Sequence, residues 1–373
     1  MISFLLSLLV SLVGPSAPTV VGPRSSEQQQ VVYVFHARER GVPASRLRFR
    51  CAVDAPALRA CPRRYKPRLT VGAHTLRVRA VDPQGRAGPV STVRISILEP
   101  RMPEVRVGSA PLNAIAAQGL VWTENYGDGT ISALDPGNGS VRSVRVDGQP
   151  GGIAYGAGSL WVSDLSGGVV TRVDPGGAIL ARIEVGGQAA GVAASGNLVF
   201  VADYGGGLTR IDALTNRVLG RTPLSGNAEA VAAGFGRVWV TNRDGTITTL
   251  DPQTGAVEGT PIPVGDDVDD VWIGMDAVWA VALYGKKLAR IDPASRQITA
   301  SMTTPGQASG VLEAAGALWV SNYDRATVSR VDPARLTVVK TYRVGRQPRG
   351  LAAAGGSIWV ANQGSNSLSR LEP

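Results

Sequence analysis

The densest chemistry in the chain lies in Gly265-Asp266-Asp267-Val268-Asp269-Asp270, which sets four carboxylates within five residues. Carboxylates this close repel one another unless they are hydrated, countered by cations or partly protonated. A hard cation, Ca²⁺ or Mg²⁺, suits such an oxygen-rich set at Asp266, Asp267, Asp269 and Asp270. The competing reading is a solvated acidic loop. Around it stand further candidates for ligand contact. Trp272 follows closely, and Glu229 and Arg349 hold the place equivalent to Asp269. Tyr126, Tyr204 and Tyr323 share one frame, with Tyr284 a place further on. Tyrosines gathered on one face can stack on sugars or clasp peptides. They serve equally well as packing.

Catalytic motifs are missing from this part of the chain. Residues 101–373 hold no His and no Cys. A base working near neutral pH there has to be a perturbed Asp, Glu, Tyr or Lys. No G-x-S-x-G elbow and no phosphate-binding glycine loop is present. No catalytic residue is assigned on this basis, and no cofactor is required. His36 and His74 are the chain's two histidines. Without a third ligand at useful spacing they read as strand residues whose ring nitrogens meet backbone groups. Cys51 and Cys61 lie ten residues apart with no C-x-x-C. In an exported chain they form a disulfide across a turn, contributing ~2–3 kcal/mol.

The elements that position these residues are repeats. Seven apolar runs carry a large aromatic in the same place: Trp122, Trp161, Phe200, Trp239, Trp279, Trp319 and Trp359. The steps between them are 39, 39, 39, 40, 40 and 40 residues. A period of this size marks a repeat architecture. One unit, Gly151 to Gly186, holds four short β-type runs bounded by Gly, Pro, Asp or Asn, and no long amphipathic helical pattern. Four short strands per unit make a propeller blade. The third run ends in an acidic turn, as at Asp135-Pro136, Asp174-Pro175, Asp251-Pro252, Asp292-Pro293 and Asp332-Pro333, where the carboxylate bonds turn N–H groups. Three residues after each aromatic stands Asn125, Asp164, Asp203, Asn242, Ala282, Asn322 or Asn362, expected as turn caps.

The last unit stops after its third strand, and Pro103 to Gly108 (PEVRVG) matches the fourth-strand text TYRVG. Residues 104–108 are therefore expected to complete the last blade and close the ring, removing an exposed sheet edge. The wording Pro348-Arg349-Gly350-Leu351-Ala352 and Ser357-Ile358-Trp359-Val360-Ala361-Asn362 resembles YVTN-type propellers and, more closely, streptogramin (virginiamycin B) lyase-like propellers. The resemblance implies a seven-bladed β-propeller over 104–373. It also implies histidine-and-metal chemistry at the propeller face, for which this chain offers no matching histidine.

Ahead of the repeats, residues 18–98 alternate in the manner of a small β-sandwich. Phe49, Cys51, Asp54, Cys61, Leu69, Gly72, His74, Leu76, Val78, Ala80, Asp82 and Gly85 carry a frame that resembles a bacterial extracellular Ig-like module. Residues 99–103 read as a stiff linker. Residues 1–17 contain an apolar core of signal-peptide length, Ile2 to Val13. The expected fold is all-β: an Ig-like sandwich followed by a seven-bladed propeller, secreted or on the cell surface, with no transmembrane span after processing.

Charge is segregated. Residues 1–100 hold 15 Arg/Lys against 5 Asp/Glu, and residues 101–373 hold 23 against 24. No compact Lys/Arg run appears, so nucleic acid is not expected as a partner. The favoured reading is a non-catalytic scaffold that binds a protein, peptide or glycan on the propeller face. The alternatives are a divergent metal-dependent lyase or hydrolase, and an adhesin that docks its basic N-terminal domain on an anionic surface polymer. The adhesin reading predicts that the full chain is retained on a polyanion column and elutes early as salt rises; elution indifferent to salt argues against it.

Overall fold

The structure, a computed structural model, describes residues 14–26, 28–97 and 102–373. The apolar stretch expected as a signal segment and most of the linker lie outside those residues. The chain divides into two compact units, Met1–Pro100 and Arg101–Pro373. No helix among the described residues is long and apolar enough to cross a membrane.

The first unit follows from period-two patterning. In Ser91–Ile97 the side chains of Val93, Ile95 and Ile97 are buried while those between them face solvent. This strand joins Ser25–Ser26, Gly72–Val81, Arg48–Val53 and Arg59–Cys61 in a five-stranded sheet. Thr19–Val21, Tyr33–His36 and Arg64–Tyr65 make a second, three-stranded sheet. Tyr33 and Phe35 from one sheet share a core with Phe49, Leu76, Val78 and Ile95 from the other. A disulfide joins Cys51 to Cys61, with Cα atoms 5.9 Å apart. The histidines do not converge on a shared site. His74 Nδ1 lies 2.6 Å from Asp54 Oδ2 and Nε2 lies 2.7 Å from the Thr70 carbonyl. His36 is exposed.

In the second unit each repeat becomes one antiparallel sheet of four strands. Pro150–Gly156, Ser159–Asp164, Val169–Val173 and Ile179–Glu184 form one of the seven four-stranded sheets found among the described residues. The second strand of each is buried almost end to end and carries the repeat aromatic. That aromatic packs onto the following sheet. Trp122 meets Ile153, Leu160 and Val162; Phe200 meets Val231 and Val238; Trp319 meets Leu351 and Ile358. Trp359, in the seventh sheet, packs on Ala114, Val121 and Leu134 of the first. The seventh sheet takes its fourth strand from Glu104–Arg106, which pairs antiparallel with Ser367–Leu371: Arg106 opposite Ser367, Val105 opposite Leu368, Glu104 opposite Ser369.

Turn chemistry is local. Asp135 Oδ1 accepts the N–H of Gly137 at 2.7 Å, and Asp251 Oδ1 accepts those of Gln253 at 2.9 Å and Thr254 at 2.7 Å. The residues after the second strand behave in two ways. Asp164 and Asp203 cap loops, accepting from Gln149 N and Gln188 N, each at 2.8 Å. The asparagines instead point inward and donate to hydroxyls on the third strand. Asn125 Nδ2 reaches Thr130 Oγ1 and Ser132 Oγ, each at 2.9 Å, and Asn362 Nδ2 reaches Ser369 Oγ at 2.9 Å. An amide has donors to spend across the hairpin and a carboxylate has none, so the shared expectation of capping holds for aspartate alone.

Val105→Pro inserts a residue without an N–H into the strand that pairs with Ser367–Leu371. Hydrogen exchange on the full chain is expected to show Ser367–Leu371 losing protection, with melting several degrees lower. Unchanged protection would mean that this pairing contributes little.

Candidate functional site

Strand direction alternates within each sheet. Loops from second to third strand therefore emerge at the same end as loops from one sheet to the next. A channel of about 620 Å³ runs between the first strands of all seven sheets. Charged side chains gather at its mouth on that end.

Two guanidinium centres organise them. Arg243 follows the second strand of the fourth sheet. Its Nε and Nη2 donate to Asp267 Oδ1 and Oδ2 at 3.1 and 3.2 Å, a forked pair. Its Nη1 donates to Tyr204 Oη at 3.2 Å, and its Nε lies 3.7 Å from Glu229 Oε2. Tyr204 Oη in turn donates to Glu229 Oε1 at 2.8 Å. Arg349, on the first strand of the seventh sheet, reaches Asp269 Oδ2 and Ser309 Oγ, each at 3.4 Å, and Gln363 Oε1 at 2.9 Å. Ser309 Oγ also donates to Asp269 Oδ2. The guanidinium lies 5.1 Å from the ring centre of Tyr323.

A further carboxyl, Glu124, is fully buried on the second strand of the first sheet. Its Oε1 accepts Asn113 N at 3.0 Å and Asn113 Nδ2 at 2.6 Å. Among the described residues Oε2 of Glu124 and Oε2 of Glu229 have no hydrogen-bond partner. Burial raises Glu124 to about 7, with the bonds from Asn113 opposing it. Burial and then the charge of Asp269 raise Glu229 to about 7. Burial raises Asp269 against the pull of Arg349, and raises Asp270, in the channel wall, to about 7. The Tyr204 hydroxyl is pushed up by burial and by Glu229, and Asp267 holds Arg243 firmly protonated. The arrangement has fixed donors, fixed acceptors and carboxyls that can change charge near neutrality.

The structure brings together Tyr204, Glu229, Asp267, Asp269, Tyr323 and Arg349 of the expected residues. Tyr284 is exposed, Tyr126 is half-buried, and among the described residues neither hydrogen-bonds to this cluster. Trp272 lies along the channel wall. The four aspartates part company. Asp266 is exposed, Asp267 turns to Arg243, Asp269 to Ser309 and Arg349, and Asp270 to the Val311 N–H at 3.0 Å. Three of the four are committed to different partners, and no group of three or more metal-ligating side chains converges among the described residues. A cation held by all four has no common point.

Arg243 and Glu124 escaped the sequence reading although the signal was there. Arg243 stands at the Tyr204 place in its own repeat. Glu124 stands where other repeats carry Ser163, Ala202, Thr241, Val281, Ser321 or Ala361.

One family model, described as outer membrane protein assembly factor BamB, matches residues 166–260, about a quarter of the chain. No curated protein sequence matches. Among solved structures, one titled "Streptogramin B lyase structure" is similar at 18% identity and a TM-score of 0.64, covering 72% of this chain and 96% of that one. Another, "Kuenenia stuttgartiensis Hydrazine Synthase", is similar at 16% identity and a TM-score of 0.59, covering 71% and 96%. The fold is a β-propeller. At these identities the likeness shows the fold alone.

All seven tryptophans lie in the propeller, so their fluorescence follows its unfolding. A buried carboxyl raised from 4.5 to about 7 favours the folded state most when protonated. Its contribution is full below about pH 4.5 and is lost as pH rises through 7. For Glu124 this is on the order of 3 kcal/mol. The propeller's melting temperature is expected to fall between pH 5.5 and 8.5, and Glu124→Gln should flatten that fall. An equal slope in the variant would show that Glu124 does not titrate in this range.

Proposed function

We propose that this is an exported, non-catalytic binding protein: an Ig-like module over residues 18–98, then a closed seven-bladed propeller over residues 104–373. Its ligand is a polar glycan or peptide taken at the channel mouth. Closure is supported by the pairing of Glu104–Arg106 with Ser367–Leu371 and by Trp359 packing on the first sheet. Export is supported by the Cys51–Cys61 disulfide.

The observation that carries the binding reading is the Tyr204–Glu229–Arg243–Asp267 chain. It draws on three sheets, it is bonded before any ligand arrives, and it leaves Arg243 40% exposed. Groups held in place in advance lose less freedom on binding. A guanidinium fork and a tyrosine suit hydroxyls, carboxylates and peptide carbonyls. The N-terminal unit's excess of arginine supports a second contact with an anionic surface polymer.

One observation favours an enzyme. Glu229, raised to about 7, accepts from Tyr204 Oη at 2.8 Å. A carboxyl tuned to neutrality is what proton transfer in a lyase or hydrolase requires. In that reading Glu229 moves the proton, and the divergent aspartates serve electrostatics without a shared Ca²⁺ or Mg²⁺.

An array of immobilised neutral and acidic oligosaccharides and short peptides tests both. Wild type is expected to bind a subset. Arg243→Ala and Tyr204→Phe should weaken that binding at least tenfold, and Leu214→Ser, at the opposite end of the propeller, should not. Binding insensitive to the first two variants removes the face site. If bound members are also converted, and Glu229→Gln stops conversion while retaining binding, the enzyme reading takes over.

A further inference from the structure

The channel carries chemistry apart from the cluster at its mouth. Its wall is almost wholly alanine, glycine, valine, leucine and isoleucine, which keep the bore open to about 620 Å³. That is within the range of cavities that hold small molecules. Five side chains break the pattern: Asn113, Tyr155, Asp270, Trp272 and Glu313, the last three on the neighbouring strands Val268–Ile273 and Ala308–Ala314. The first two are engaged, Asn113 with Glu124 and Tyr155 with Gln118. Among the described residues no lysine, arginine or histidine lines it.

The two carboxylates sit toward opposite ends. Asp270 accepts the N–H groups of Val271 at 2.9 Å and Val311 at 3.0 Å. A carboxylate has about four acceptor sites, so capacity remains for a donor in the bore. Glu313 Oε2 accepts Met275 N at 3.1 Å and Trp279 Nε1 at 3.2 Å. It lies against Gly274, where an added Cβ would stand 2.1 Å away. Asp270 and Gly274 are four residues apart, about 13 Å of extended chain. Trp272 lies between them. An anion entering this bore meets two carboxylates and no counter-charge. A neutral apolar guest dehydrates both groups, leaving the Glu313 charge without a counter-ion and pushing Asp270 to take up a proton, which is costly. A guest with one positive end pairs only one of them.

We infer that the channel binds a linear aliphatic diamine, with one ammonium on Asp270, the other on Glu313, and the methylene chain along Trp272, Ile273 and Leu312. Each ammonium brings three donors to an acceptor already fixed in place. The indole adds cation–π attraction and apolar contact. The inference stands on the bore and not on the mouth cluster.

Titration calorimetry of the full chain with diaminohexane, aminohexane and hexanol tests it. Saturable binding of diaminohexane is expected, at least tenfold weaker binding of aminohexane, and none of hexanol. Asp270→Asn and Glu313→Gln should each bring diaminohexane down to the aminohexane level. Glu313→Gln keeps an acceptor for Met275 and Trp279, so it remains informative if Asp270→Asn fails to fold. No heat with diaminohexane, equal affinity for the monoamine, or indifference to Glu313→Gln overturns the inference.

Discussion

Everything in the propeller depends on one packing event made seven times: a large aromatic on the second strand, buried against the next sheet. Removing such a side chain from a core costs ~3–5 kcal/mol. The indole also brings a polar N–H that must be satisfied when buried. In five sheets it donates to a carbonyl five residues earlier in its own chain, as Trp161 does to Gly156 O at 3.0 Å. The third sheet carries Phe200, which has no N–H, and the fifth differs in its acceptor. Trp279 gives its N–H to Glu313 of the following sheet. The same carboxylate therefore serves the core and faces the bore, and a site residue is fixed by a packing requirement.

The repeat also explains where function can appear. First strands crowd together around the axis, so most of their positions tolerate only small side chains. Gly191 shows the constraint, because an added Cβ would stand 2.5 Å from the Glu229 carbonyl. A charged residue at such a place has to aim along the channel or toward its mouth. Glu229, Asp269 and Arg349 do so at the mouth. They are held apart by alternation with guanidinium groups instead of being left to repel one another. Arg243 stands between Glu229 and Asp267, and Arg349 beside Asp269. Burial still leaves several of the carboxyls undercompensated, which is why Glu124, Glu229 and Asp270 are driven toward neutrality.

Much of the architecture could be read from spacing. The aromatic period, the acidic turns and the match between PEVRVG and TYRVG are local patterns, and each corresponds to an element of the structure. The asparagines after the second strand were harder. Sequence position gave them the same expectation as Asp164 and Asp203, but donors on the amide turn them inward to hydroxyls such as Ser132 and Ser369. Arg243 and Glu124 are legible as departures from the repeat, outside the most conspicuous acidic run.

By itself, then, the chain determined that it folds as repeated four-stranded sheets, where each turn falls, and which end of the sheets gathers the unusual residues. These follow from strand periodicity and turn chemistry, which act over a few residues. What only the tertiary structure decided is which unusual residues meet. Asp266, Asp267, Asp269 and Asp270 are neighbours in sequence and go to solvent, Arg243, Arg349 and Val311 N respectively. Tyr204 and Arg243 are a whole repeat apart and share a hydrogen bond. Side chains alternate in direction along a strand, and contacts around the axis cross from sheet to sheet. Adjacency in the chain therefore separates charges that adjacency in space recombines.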